Sequence, residues 1–201
     1  MSAAAYNSWD REAAVKRAIA HADSCGASSD GGKYIWNFAF GSNLNPGKVE
    51  SRRMMPAETL RGVLTGRRLL FNHTGGYGNI ESQTVCDAQQ YDLSRLCGSP
   101  PEVHGVLLKL SREEFARLAW EEYAYDTIEV AVAVYSDDCR GKDGSDVQPA
   151  LAFKTNACAL TSTRTLPSAR YIGLIADGAK ASGIEPGYCG WLDSVRNACR
   201  P

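Results

Sequence analysis

The chain has 201 residues, enough for one domain with or without a terminal extension. At this length a core buries about 70% of the unfolded surface and needs no metal or disulfide to hold it. Twenty-two Lys plus Arg against 23 Asp plus Glu, 44% hydrophobic and 22% charged residues describe a near-neutral globular chain. The basic excess of a nucleic-acid binder is missing, and so is the run of roughly 20 apolar residues that crosses a bilayer, so neither nucleic acid nor membrane is an expected partner.

The N-terminal residues lack the apolar core of a secretory signal and carry Asp10, Glu12 and Asp23, which an organelle-targeting peptide avoids. Seven cysteines without a C-x-x-C pair then predict free thiols in a reducing, cytoplasmic setting. Residues 9–22 read as a helix with Ser8 as cap and Asp10 and Glu12 at its positive end. Residues 24–32 are a flexible break, so 1–32 is expected to be a helical extension with its linker and 33–201 the domain proper. Tyr34–Phe40 is dense in aromatic and β-branched residues and stops at Gly41, which predicts a strand buried on both faces.

Strands are expected at 62–72 and 103–110. The stretch between them, 73–102, is long for a loop, and 78–86 is its best candidate for another strand. Ser111 and Glu114 form a capping box in front of a helix running to about Glu122. Two further strands follow at 125–135 and 148–157, then helices at 168–183 and 187–199, the first stopped by Gly183. Strands in the middle and helices at the end predict an α+β fold, a small mixed β-barrel with flanking helices.

Three features could carry chemistry. In Phe38–Leu44 a buried strand breaks at Gly41-Ser42-Asn43, whose successive N–H groups can converge on a carboxylate or oxyanion. The plainer alternative is a strand-to-helix turn in which Asn43 caps a short helix through Arg52. Phe115, Leu118 and Glu122 are spaced i, i+3, i+7, so two core residues aim Glu122 inward at a helix C-terminus, where a carboxyl group suits general acid–base work. Glu121, about 100° round the helix, should face solvent. Tyr125 and Tyr171 each open an element, and a buried phenol needs a hydrogen-bond partner that either core or ligand can provide.

The remaining signals are weaker. His21, His73 and His104 have no ligand spacing, so no metal is expected. His73 and His104 flank the long loop and read as core or surface residues within reach of a substrate. Cys86, Cys139 and Cys158 read as small apolar fillers, and Cys25 and Cys199 as residues of mobile ends. Gly75-Gly-Tyr-Gly78 lacks the strand–glycine–helix setting of a nucleotide loop.

In this order the pieces resemble the γ-glutamylcyclotransferase family. Its strand ending in Phe-Ala-Tyr-Gly-Ser-Asn-Leu is matched by Phe38–Leu44, and its Gly-Val-apolar-apolar-Lys-Leu strand with the following helix-end glutamate by Gly105–Leu110 and Glu122. Tyr125–Val130 is similar to its Tyr-x-x-Ile-Glu-Val strand, and Pro167–Lys180 to its Pro-Ser-x-x-Tyr helix with Gly-Ala-Lys. The likeness covers roughly residues 34–190.

The resemblance implies a barrel enzyme that needs no cofactor and acts on a small γ-glutamyl amide. The substrate's α-amine attacks its own γ-carbonyl, releasing 5-oxoproline and an amine. Carried over by position, Glu122 is the general acid/base, and Phe40, Gly41, Ser42, Asn43, Leu44, Tyr125 and Tyr171 line the substrate site. Phe40 replaces the family's tyrosine, Ala152 stands where some relatives have another, and the short step from Glu122 to Tyr125 leaves Glu121 a competitor by alignment. These departures point to a bulkier leaving amine, a glutathione-derived metabolite or a binding protein without turnover. The chain alone leaves a homodimer open.

Overall fold

The computed structural model describes residues 10–89, 96–136, 146–161 and 166–199. Its elements are α1 (Arg11–Ser24), β1 (Ser28–Ser29), β2 (Tyr34–Ala39), α2 (Pro46–Ser51), β3 (Glu58–Thr65), β4 (Arg67–His73), β5 (Tyr77–Ser82), α3 (Gln83–Ala88), β6 (Glu102–Ser111), α4 (Arg112–Glu121), β7 (Tyr125–Val134), β8 (Val147–Thr155), α5 (Ala169–Ala181) and α6 (Pro186–Ala198).

Five strands close a barrel in the order β2-β6-β3-β7-β8, with β8 returning to β2. Every neighbour pair is antiparallel except the closing one, where β2 and β8 run parallel and meet at Asn37↔Leu151. The mixed sheet follows from this seam. Ile35, Phe38, Leu107, Leu110 and Leu151 are 0–1% exposed; the pairs Ile35–Leu110 and Phe38–Leu107 lie on opposite faces of the sheet, so β2 and β6 are covered on both sides. Asn37 is the polar exception in that apolar strand. It is 1% exposed, and its Nδ2 donates to the Leu151 carbonyl at 2.9 Å, so the buried amide is satisfied by strengthening the seam.

Two glycines let the strands approach closely. Gly62 and Gly105 face each other across β3 and β6. A Cβ on Gly105 would sit 2.4 Å from the Ala39 carbonyl oxygen and 2.8 Å from the Phe38 ring. The bare backbone at 105 thus seats Phe38 and fixes the end of β2, from which the candidate site departs.

The segment 62–72, read as one strand, is two. Gly66 takes φ +72° and turns the chain between β3, which begins earlier at Glu58, and β4. Apolar patterning on both sides of Gly66 hides that break. Within 73–102, β5 pairs with β4 as a hairpin outside the barrel sheet and α3 follows it. A buried amide network docks the hairpin. Asn79 Nδ2 donates to Asn72 Oδ1 at 2.9 Å and Glu81 Oε1 at 3.3 Å, while its Oδ1 accepts the Thr155 N–H at 2.9 Å. Lys154 pairs with the 4%-exposed Glu81 at 3.1 Å. Asn79→Ala strands several of these groups at once and should cost about 2–3 kcal/mol, read from urea or thermal unfolding.

Residues 10–29 pack on the barrel. Asp10 caps α1 by accepting the Ala13 N–H at 3.1 Å, while Ser8 lies outside the described residues. Ala14, Ala18 and Ala22, one turn apart, are buried on the face that meets α4 and β7. Arg112 grips both oxygens of Asp23 at 2.6 and 3.0 Å, and Arg11 stacks over Tyr123 at 4.4 Å. At the other end, α5 presses on the segment after β2, where a Cβ on Gly178 would lie 2.6 Å from Asn45 Cα. Among the described residues no helix is long and apolar enough to cross a membrane.

Candidate active site

After β2 the chain passes through Phe40 and Gly41 into a single 3-10 turn, Ser42–Leu44, and then into α2. The cap of α2 is Asn45, whose Oδ1 accepts the N–H groups of Gly47 at 3.0 Å and Lys48 at 3.3 Å. The alternative reading gave that cap to Asn43. Two residues too early for it, Asn43 instead turns its amide across the cleft, and its Nδ2 donates to Glu122 Oε1 at 3.2 Å. The N–H groups of Gly41, Ser42 and Asn43 come at the start of a helical turn, where no intrahelical acceptor exists.

Glu122 arrives on the opposite wall. It is the C-cap of α4, with its N–H bonded to the Leu118 carbonyl at 2.9 Å. Phe115 and Leu118, 0% and 1% exposed, anchor that helical face in the core. The Glu122 side chain is 17% exposed and the Glu121 side chain 44%. Oε1 of Glu122 also accepts from Arg52 Nη1 at 2.8 Å. Arg52 Nε lies 2.8 Å from Glu121 Oε2, an ion pair without hydrogen-bond direction. One guanidinium therefore serves two adjacent carboxylates.

Arg52 was missed by the sequence reading, although it ends the short helix that the Gly-Ser-Asn turn opens. Its contact with residues 70 positions away is made by the barrel and carries no local signal.

The tyrosines complete the wall. Tyr171 OH accepts the Gly78 N–H at 3.1 Å and is squeezed between two glycines, since a Cβ on Gly41 or Gly78 would meet it at 3.2 or 3.1 Å. Its ring makes an edge contact with Tyr77 at 5.1 Å. Tyr125 stacks flat on His73, centroids 4.4 Å apart. Burial, reinforced by neighbouring phenols and Glu122, pushes both phenols well above their ordinary value, so both stay protonated near neutrality.

His73 is 7% exposed, with a buried Nδ1 that has no partner, and desolvation holds its pKa below the ordinary 6.5. A depressed histidine binds its proton more weakly folded than unfolded. Stability is therefore lost as pH falls through about 6.5. His73→Phe should flatten the fall in Tm between pH 7 and pH 5.5 relative to the unsubstituted chain.

Phe40, Gly41, Ser42, Asn43, Glu122, Tyr125 and Tyr171 all line one cleft of about 1250 Å³. Leu44 does not. It is 1% exposed, turned into the core and so a packing residue. Of the two histidines flanking the long segment, His73 lines the cleft, whereas His104 is buried elsewhere with Tyr135, Tyr188 and Glu102. Cys86 is buried as expected, but Cys158 is exposed on the 3-10 turn Ala157–Ala159. Cys25 and Cys199 pack against the core and are not loose ends; Cys139 lies outside the described residues. Gly75 and Gly76 simply form the β4–β5 turn.

No protein-family model matches the chain. It is 27% identical over 172 residues to the γ-glutamyl cyclotransferase gliK of Aspergillus fumigatus, a match covering 80% of this chain and 62% of that protein, so the chain spans less than two thirds of this relative. Its fold matches a solved γ-glutamyl cyclotransferase with a TM-score of 0.59 at 20% identity, over 80% of this chain and 87% of the other. It likewise matches the yeast γ-glutamyl cyclotransferase specific to glutathione with a TM-score of 0.58 at 14% identity, over 84% and 97%. The ordered motifs, the sequence relative and the closed barrel with its helices agree: this chain is γ-glutamylcyclotransferase-like in both sequence and fold.

Proposed function

We propose that the chain cyclises a γ-glutamyl amide, with Glu122 as general acid/base. The observation that carries this reading is the Glu122 carboxylate, held on one wall of the cleft and reaching Asn43 of the Gly41–Asn43 turn on the other. With Oε1 engaged by Arg52 and Asn43, Oε2 is the oxygen available to move a proton. It takes a proton from the substrate's α-ammonium, and the freed amine attacks the γ-carbonyl. As the new N–C bond forms, the carbonyl electrons move onto oxygen, where the turn's N–H groups and the Tyr171 hydroxyl are the available donors. Collapse of that oxyanion breaks the original C–N bond as the Glu122 proton passes to the leaving nitrogen; the freed carboxylate then takes the second proton from the ring nitrogen and hands it to the departing amine, which leaves as an ammonium beside neutral 5-oxoproline. Because the nucleophile is tethered, holding the glutamyl head curled supplies much of the rate enhancement.

The cleft exceeds the about 300–1,000 Å³ of ordinary small-molecule sites. With Phe40 in place of tyrosine, this supports a leaving amine larger than a single amino acid, such as the cysteinylglycine part of glutathione or of a glutathione-derived metabolite. The six cysteines among the described residues that are free thiols support a reducing, cytoplasmic setting. Incubation with a γ-glutamyl amino acid, a γ-glutamylamine, glutathione and a glutathione S-conjugate, followed by quantification of 5-oxoproline, tests the proposal. Product supports it. A ligand-induced rise in Tm without product makes the chain a binding protein instead.

A further inference from the structure

We propose that His21, Cys25 and Glu129, none of which lines the cleft that holds Glu122, form a zinc-binding site that clips α1 to β7. A ring nitrogen, a thiol and a carboxylate oxygen, one from each residue, lie within 4.8 Å of one another. Nitrogen, sulfur and oxygen donors together suit Zn²⁺, which accepts all three in a tetrahedron. His21 and Cys25 sit one turn apart where α1 ends, and Glu129 reaches them from β7.

Two details favour a metal over an ordinary ion pair. His21 Nε2 and Glu129 Oε1 are 3.4 Å apart, longer than the about 2.7–2.9 Å of a charge-assisted hydrogen bond. That separation equals the roughly 3.4 Å nitrogen–oxygen edge of a zinc tetrahedron with bonds of about 2.1 Å. On the other side of the ring, Nδ1 lies 2.8 Å from Thr127 Oγ1. Donation of the Nδ1 proton to Thr127 leaves the Nε2 lone pair directed at the carboxylate, the outer-shell arrangement that fixes metal-binding histidines. The Glu129 side chain is 66% exposed, so a solvent-facing pair with His21 would itself contribute little to stability. Because Glu129 is open to solvent, a water is at hand as fourth ligand. Binding expels the Cys25 thiol proton, so affinity rises with pH.

Cobalt titration of the full chain tests the site without reference to turnover, so it stands or falls separately from the cyclisation proposal. One Co²⁺ per chain should produce a sulfur-to-cobalt charge-transfer band that Zn²⁺ bleaches. Cys25→Ser should abolish the band, His21→Ala should weaken binding at least tenfold, and Thr127→Val should weaken it about tenfold. Zn²⁺ should raise the Tm of the unsubstituted chain by several degrees and leave the His21→Ala/Cys25→Ser double variant unmoved. Absence of a band at stoichiometric Co²⁺, or a band that survives Cys25→Ser because another thiol carries it, overturns the site.

Discussion

Glu122→Gln should lower turnover by about a thousandfold while leaving Tm within a few degrees. Glutamine keeps the shape of the side chain and still accepts from Arg52 and Asn43, so the fold has little reason to change. What disappears is the capacity to take a proton from the α-ammonium and return it to the leaving nitrogen. A general acid/base step carries about 10²–10⁴ in rate, and one group performing both transfers places the loss inside that range. Glu121→Gln, on the more exposed side of the helix end, should keep activity within about tenfold. Steady-state formation of 5-oxoproline by the two variants decides between them. If Glu121→Gln were the inactive one, the assignment of the acid would move by one residue and the reading of the α4 face would fail.

Arg52→Ala should lower kcat by about a hundredfold with a much smaller change in KM. A hydrogen bond to a charged group contributes about 1.5–3 kcal/mol, and its loss here also leaves two neighbouring carboxylates without their shared cation. With Oε1 released, the Glu122 carboxyl loses the orientation that, on the proposed mechanism, turns Oε2 to the substrate amine. Because Arg52 acts through Glu122, the damage belongs in kcat more than in KM. Arg52→Lys restores the charge without the planar fork and should recover only part of the rate. A variant in which KM alone rises would instead make Arg52 a direct ligand of the substrate carboxylate.

Legibility in the sequence followed the range of the interactions. Capping at Ser111, the burial of Tyr34–Ala39 and the inward face of α4 are set within one or two turns of chain, and each could be read locally. The γ-glutamylcyclotransferase likeness rested on such local motifs in the right order, and a structure of the same fold family followed. Contacts made by closure of the barrel were invisible. Asn37 looks like an interruption of an apolar strand until β8 arrives to accept its amide hydrogen. Arg52 looks like a solvated helix end until α4 delivers two glutamates. Gly66 was hidden for a different reason: the apolar runs Val63-Leu64 and Leu69–Phe71 on either side of Thr65–Arg68 read as one strand, and a positive φ separates them. Leu44 belongs to the resemblance but packs inward, so a motif position need not be a contact position.

The Tyr171 hydroxyl has one more property. Its oxygen already receives the Gly78 N–H, and burial keeps its proton in place. The phenol can therefore offer the cleft a hydrogen but has little capacity left to receive one. On the proposed mechanism, this corner of the pocket would favour oxygen over ammonium: a guest would turn a carbonyl or carboxylate toward Tyr171 and its amine toward Glu122, a polarity imposed before any bond is made.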